Sequence, residues 1–169
     1  MSTKLYNDLI IPTTDGMYRY ALSIVHEPET ARDAVQDCLA KIWSLRHDLA
    51  KIEKVNAWAF RIVRNRCIEM LRRDRYADLD EKVVNLQVSS SADQKTISDD
   101  HMLWLKDVLK TLPKKQHEVF HLREVEEMSY QEIAETCSMT ESDVKVNIHR
   151  ARKKVRDAMQ KIEAYGIAN

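Results

Sequence analysis

Five apolar side chains, Val144, Ile148, Ala151, Val155 and Ala158, recur at i, i+4, i+7, i+11 and i+14, which is one stripe along a helix of 3.6-residue period. Two shorter stripes precede it: Val119, Phe120 and Leu122 after Leu112-Pro113, then Ile133, Ala134 and Cys137. Ser129 with Glu132 three residues later forms a capping box, because the hydroxyl satisfies an orphan N–H at the helix start while the carboxylate reaches back to the cap. Thr140 or Ser142 starts the next helix in a similar way. Only Ser138 to Thr140 separates the second stripe from the third. Residues 112–156 therefore read as a helix-turn-helix, a motif whose short turn allows the last helix to enter a DNA major groove.

Charge follows the same division. Residues 144–156 hold Lys145, Arg150, Arg152, Lys153, Lys154 and Arg156 and no acidic residue, a net of +6, whereas residues 118–143 hold eight acidic residues against Arg123, a net of −7. The whole chain is formally neutral, so attraction to phosphate must come from where the charges sit. A cationic helix face is often merely solvated. On the second helix of a tight helical pair it points to nucleic acid.

With two glycines and three prolines in 169 residues, the chain is expected to be almost wholly helical. Its length fits one domain or two small ones. No apolar run approaches the roughly 18 residues of a membrane span, and the N-terminus has no basic segment followed by an apolar one, so the expected location is cytoplasmic. Cys38, Cys67 and Cys137 are odd in number, far apart and each on an apolar stripe, which suits buried thiols better than a disulfide framework or a zinc site. His117 and His121 have the i, i+4 spacing of metal ligands, but nothing completes the set, and surface or interhelix positions suit them better. There is no glycine-rich phosphate loop. No metal, cofactor, small-molecule substrate or catalytic activity is expected.

The first half contains three more amphipathic helices. Tyr18, Ala21, Leu22 and Val25 begin the pattern, and Pro28 opens a second helix with Ala31, Val35, Cys38, Ile42 and Leu45 on one side. A polar stretch from Arg46 to Asn56 follows. The third helix is expected from about Ala57 to Arg75, with Phe60, Val63, Cys67, Met70 and Leu71 inward and Arg61, Asn65 and Arg72 aligned on another face. Six arginines against Glu69 and Asp74 give residues 61–76 a net of +4, a second basic helix. Residues 77–101 are acidic, net −4, and Ser89-Ser90-Ser91 breaks any periodicity, so they read as a linker. Its Leu79, Val83, Val84, Leu86 and Val88 suggest that part of it docks. The expected architecture is all-α: two small helical domains, 1–76 and 102–169, joined by the acidic linker 77–101.

Taken in order, these residues resemble a family over nearly the whole chain. The sequence runs Asp33-Ala34-Val35-Gln36-Asp37, Trp43, Trp58-Ala59-Phe60-Arg61-Ile62-Val63-Arg64-Asn65-Arg66, an acidic linker, Leu112-Pro113, and Ser129-Tyr130-Gln131-Glu132-Ile133-Ala134-Glu135 with its basic partner helix. This resembles an extracytoplasmic-function sigma factor, the smallest kind of bacterial RNA polymerase specificity subunit. A helix-turn-helix of the second kind also occurs in many response regulators, so it is the two halves in this order that carry the likeness.

The resemblance implies a helical bundle that opens the promoter and a C-terminal helix-turn-helix domain, equivalent to the family's regions 2 and 4. It implies core RNA polymerase and promoter DNA as partners, and an anti-sigma factor that holds the chain inactive. By it, Asp33, Gln36 and Asp37 are the candidates for contact with the polymerase clamp helices, through polar groups that orient an interface. Acidic residues favoured early in a helix by its dipole are the plainer reading of Asp33 and Asp37. Arg61, Arg64, Asn65, Arg72 and Arg73 become the candidates for reading and melting the −10 box, with the loop Ala50 to Asn56 receiving an extruded base. Trp43, Trp58 and Phe60 are conceivable stacking platforms, although Phe60 lies on the apolar stripe and suits the core. Lys145, Val146, Asn147, His149 and Arg150 match the positions that face bases and phosphates of the −35 box, with Arg152 and Lys153 on phosphate.

Two departures from the family pattern stand out. Ser138 occupies a turn position often filled by glycine, where a left-handed conformation costs about 1 kcal/mol, so a reshaped turn is an alternative. The recognition helix begins Glu141-Ser142-Asp143, whose carboxylates either face cytosine amino groups or cap the helix. Two other functions remain open: a stand-alone helix-turn-helix regulator using only the second half, and a helical adaptor that binds protein alone. The regulator would leave the first half's arginine helix and its Asp33-Gln36-Asp37 surface without purpose.

Overall fold

A computed structural model describes residues 1–81 and 100–166. Among them every regular element is a helix: α1 (Ser2–Leu9), α2 (Thr14–Val25), α3 (Pro28–Ser44), α4 (Val55–Glu81), α5 (Asp100–Lys110), α6 (Lys114–Glu124), α7 (Tyr130–Cys137) and α8 (Glu141–Gly166), with 3-10 turns at Ile11–Thr13 and Leu49–Lys51. The all-α expectation holds. Most of the acidic stretch 77–101, including the expected docking of Val83, Val84, Leu86 and Val88, lies outside the described residues.

Local chemistry explains most boundaries. Glu27 caps α3, its carboxylate accepting from the Glu29 and Thr30 amides, and Pro28 takes the first helical position, where a missing N–H costs nothing. Ser129 and Glu132 make the reciprocal capping box at α7, worth about 1 kcal/mol. Ser138 ends α7 in the left-handed conformation, φ 54° and ψ 48°, so the turn keeps the glycine-like shape with serine in place. Thr140 starts α8: its hydroxyl accepts from the Asp143 amide at 3.1 Å and donates to the Asp143 carboxylate at 2.7 Å.

Helices α2, α3 and α4 pack around Met17, Tyr20, Ala21, Val35, Cys38, Ile42, Phe60, Val63 and Cys67. Helices α6, α7 and α8 pack around Val119, Leu122, Ile133, Cys137, Val144 and Ile148. All three cysteines are buried and free. α1 was not expected from the pattern; it lies beside the Leu49–Lys51 turn, with Tyr6 edge-on to Trp43 at 5.0 Å.

The two cores join into one. Helix α7 lies against α4, and α6 against α2, so that buried residues of both halves form a continuous cluster. Along this seam the Arg64 guanidinium donates to Glu118 at 2.6 Å and the Tyr20 hydroxyl donates to the same carboxylate oxygen at 2.6 Å. Arg19 makes two hydrogen bonds to Glu126, at 3.0 and 2.8 Å, Lys54 donates to Glu135, and the Thr136 hydroxyl donates to the Ala57 carbonyl at 3.3 Å.

Candidate nucleic-acid interface

Helix α8 buries Val144, Ile148, Ala151 and Val155 against the helix pair before it. That face fixes the opposite one, where Lys145, Val146, His149, Arg150 and Lys153 are exposed. Val146 is 44% exposed, an apolar side chain left facing solvent in the middle of a cationic row. Two expected contacts are engaged elsewhere. The Asn147 amide donates to the Asp143 carbonyl one turn earlier at 2.8 Å, and Arg152 pairs with Glu124 at 2.6 Å. Asp143 serves the helix cap, which decides one of the two roles open to it.

Helix α4 carries the second basic row. Arg61, Asn65, Arg72 and Arg73 are exposed, with Arg73 paired to Glu69 at 2.6 Å. Arg64 points the other way, into the seam, with its side chain 23% exposed. Burial alone would lower its pKa, but the hydrogen bond and charge of Glu118 outweigh it and hold the guanidinium pKa above its ordinary value. Burial together with the Glu118 charge pushes the Tyr20 hydroxyl pKa well up, so it stays protonated and donates.

Beside α4, the stretch after the Leu49–Lys51 turn forms a shallow pocket walled by Ile52, Lys54, Ala57, Trp58 and Arg61, with Glu135 of α7 at its edge. Trp58 is half-buried and lines it. Phe60 is 2% exposed and belongs to the core. Trp43 is exposed but lies on α3, with the Arg46 guanidinium stacked 4.4 Å above its ring.

On α3, Asp33 and Gln36 are exposed side by side. Asp33 lies beyond the first turn, where the helix dipole has faded, so the dipole does not explain it. Asp37 is also exposed but is paired with Arg66 of α4 at 2.6 Å. His117 and His121 face α2: His117 sits edge-on to His26 at 6.4 Å, and His121 stacks on Tyr20 at 6.0 Å and touches Glu126 at 3.1 Å. They are interhelix histidines. Among the described residues no group of three metal-ligating side chains occurs and no helix is long and apolar enough to cross a membrane.

Sequence reasoning missed the seam residues Tyr20, Arg19, Glu118, Glu126 and Thr136. A local signal was available beside the opposed charges of the two stretches. Gly16, one of two glycines in the chain, sits inside α2, where glycine costs roughly 0.5–1 kcal/mol relative to alanine. A methyl group there would lie 2.6 Å from the Glu126 carboxylate and 3.2 Å from the Phe60 ring.

Comparison with known proteins matches both halves. Residues 14–76 fit the family model for sigma-70 region 2, and residues 102–155 fit the model for sigma-70, region 4. The RNA polymerase sigma-E factor of Streptomyces avermitilis is 27% identical over 155 residues, covering 92% of this chain and 85% of that protein. The ECF RNA polymerase sigma factor SigM of Bacillus subtilis is 25% identical over 147 residues, covering 84% and 87%. Among solved structures, the sigma factor RpoE from Bartonella quintana, determined with the anti-sigma factor NepR, superposes with a TM-score of 0.73 at 23% identity, covering 92% of this chain and 96% of that one. CnrH, determined with the cytosolic domain of CnrY, gives 0.63 at 20% identity, covering 92% and 88%. These two establish likeness of fold. The stand-alone regulator would need only the second half, whereas both halves match in order, and the chain belongs to the sigma-70 family as a promoter-specific RNA polymerase sigma factor of the extracytoplasmic-function type.

Proposed function

We propose that the chain divides its work between domain 1–76 and domain 102–169, with 77–101 as the tether. The exposed row Lys145, Val146, His149 and Arg150 on α8 reads the −35 box in the major groove, Lys153 holds phosphate, and Asn147 and Arg152 join once they leave their partners on the protein. The row Arg61, Asn65, Arg72 and Arg73 on α4 follows the −10 strand, joined by Arg64 when it is released from Glu118, while the Trp58 pocket receives an extruded base. Asp33, Gln36 and Asp37 on α3 meet core polymerase.

The chain acts by binding, without catalysis of its own, in the cytoplasm where the polymerase works. RpoE was solved in complex with the anti-sigma factor NepR and CnrH with the cytosolic domain of CnrY, and an anti-sigma factor is the corresponding partner proposed here. The observation that carries the reading is that two separate helices, each fixed by its buried face, present exposed cationic rows. The test adds the purified chain to core polymerase on a genomic template library and maps transcript starts. New starts sharing two spaced boxes are expected. An unchanged set of starts overturns the reading.

A further inference from the structure

Helix α8 turns Val144, Ile148, Ala151 and Val155 into the core. At about 100° per residue, the line directly opposite that stripe passes within roughly 10° of Val146. Ser142 and His149 flank Val146 on one side and Arg150 on the other, all three exposed, and Lys153 shares its line about two turns later. When the exposed face of α8 enters a groove, Val146 goes deepest.

The donors on either side of it are turned away. Lys145 extends its ammonium toward the Tyr130 ring, 6.0 Å from the centroid, and the Asn147 amide is occupied by the Asp143 carbonyl at 2.8 Å. Val146 is thus 44% exposed at the centre of a polar face, with no side-chain group that can donate or accept. The helix gains nothing from it, because valine is a poorer helix former than alanine, lysine or glutamate. Nor does it belong to an apolar patch of the kind that marks a protein-binding surface, since Ser142, Lys145, His149 and Arg150 surround it. A single exposed valine is ordinary on a protein surface. At the leading point of a groove-reading face it displaces the water held by a base edge.

That edge has to be one that tolerates the loss. In the major groove base pairs present donors and acceptors, and the C5-methyl of thymine is the one apolar group among them. A valine set against a guanine, adenine or cytosine edge strips water from a donor or acceptor and returns no hydrogen bond. Against thymine it meets a methyl group.

We propose that Val146 selects a thymine in the −35 box through its C5-methyl group. The inference rests on the reading of α8 as the −35 element. Arg150 stands one helical turn on, about 6 Å along the axis, against a base step of about 3.4 Å, so the thymine and the base pair read by Arg150 lie about two positions apart.

The test alters the DNA first and the protein second. Holoenzyme assembled from the full-length chain and core polymerase is bound to a promoter found by transcript mapping. Each thymine of its −35 box, on either strand, is replaced singly by deoxyuridine, which lacks only the methyl group. Burial of one methyl group contributes about fourfold, so wild-type holoenzyme is expected to bind about fourfold more weakly with deoxyuridine at the selected position. Val146→Ala, at an exposed position whose change leaves the core intact, should be indifferent to deoxyuridine there. With that T·A pair changed to C·G, 5-methylcytosine should bind the wild type about fourfold better than cytosine.

Deoxyuridine tolerated at every position, or a loss that Val146→Ala shares in full, overturns the thymine assignment, while base preferences elsewhere in the box keep the −35 reading. A −35 box with no A·T pair, or equal wild-type binding of cytosine and 5-methylcytosine at the selected position, overturns it as well. Holoenzyme that binds every singly substituted box alike overturns the −35 reading itself, and the thymine assignment with it.

Discussion

Arg64 and Glu118, 54 positions apart in the chain, meet through two hydrogen bonds of 2.6 and 3.3 Å, and the same carboxylate takes the Tyr20 hydroxyl at 2.6 Å. Glu118 is 14% exposed at its side chain, so removing a donor leaves a largely buried charge short of a partner. Arg64→Ala is expected to destabilise the free chain by about 1–3 kcal/mol in urea unfolding. Arg61→Ala, on the exposed side of the same helix, should stay within about 0.5 kcal/mol. Equal effects would place the two arginines in the same environment and contradict the seam.

On α8 the expected split is between sequence and salt. Arg150→Ala should cost roughly 1–3 kcal/mol of holoenzyme binding and relax preference at one base pair of the −35 box. Lys153→Ala should weaken all sequences alike and lower the salt slope by about one. Fluorescence anisotropy with a panel of singly substituted boxes at several salt concentrations distinguishes them.

Asp33 and Gln36 are exposed, whereas Asp37 is tied to Arg66. The double substitution Asp33→Ala with Gln36→Ala is therefore expected to weaken core polymerase binding about tenfold, corresponding to loss of a charge-assisted contact. DNA binding by the C-terminal domain should be unaffected. Titration of labelled chain against core polymerase measures the first, and a mobility shift with duplex DNA the second.

Ser138 holds a left-handed backbone that costs an L-residue about 1 kcal/mol or more. Ser138→Gly should raise stability by up to about 1 kcal/mol, less the extra freedom glycine has when unfolded. Urea midpoints read the difference, and a loss of stability would show that the Ser138 side chain compensates its own strain.

Burial beside His121 and His26 lowers the pKa of His117 below its ordinary 6.5. The unfolded chain then takes up a proton before the folded one does, so this contribution to stability is complete above pH 6.5 and declines as the pH falls toward the folded value. His117→Gln should flatten that decline. Thermal midpoints measured from pH 7.5 down to about 5 test the sign.

What the sequence reveals depends on how local the cause is. The α7–α8 pair was legible because a capping box, a three-residue break and a five-residue apolar stripe are all short-range signals. Pro28 and the burial of Phe60 and of the three cysteines followed from the same periodicity. The six-residue extension of α4 beyond Arg75 was not legible, because Tyr76 to Glu81 lack an apolar stripe. Neither was the diversion of Asn147 and Arg152, since a side chain's partner depends on neighbours that no helical period specifies. The seam was the largest omission: its ion pairs join residues 54 to 107 positions apart, and only the opposed charges of two stretches and a glycine within a helix hinted at it.

The single core shared by both halves has a genetic consequence. Alleles that loosen the contact between the halves should arise at positions scattered through the gene, in the second, fourth, sixth and seventh helices. Their codons would look unrelated, yet plotted in space they would fall along one line where the halves touch.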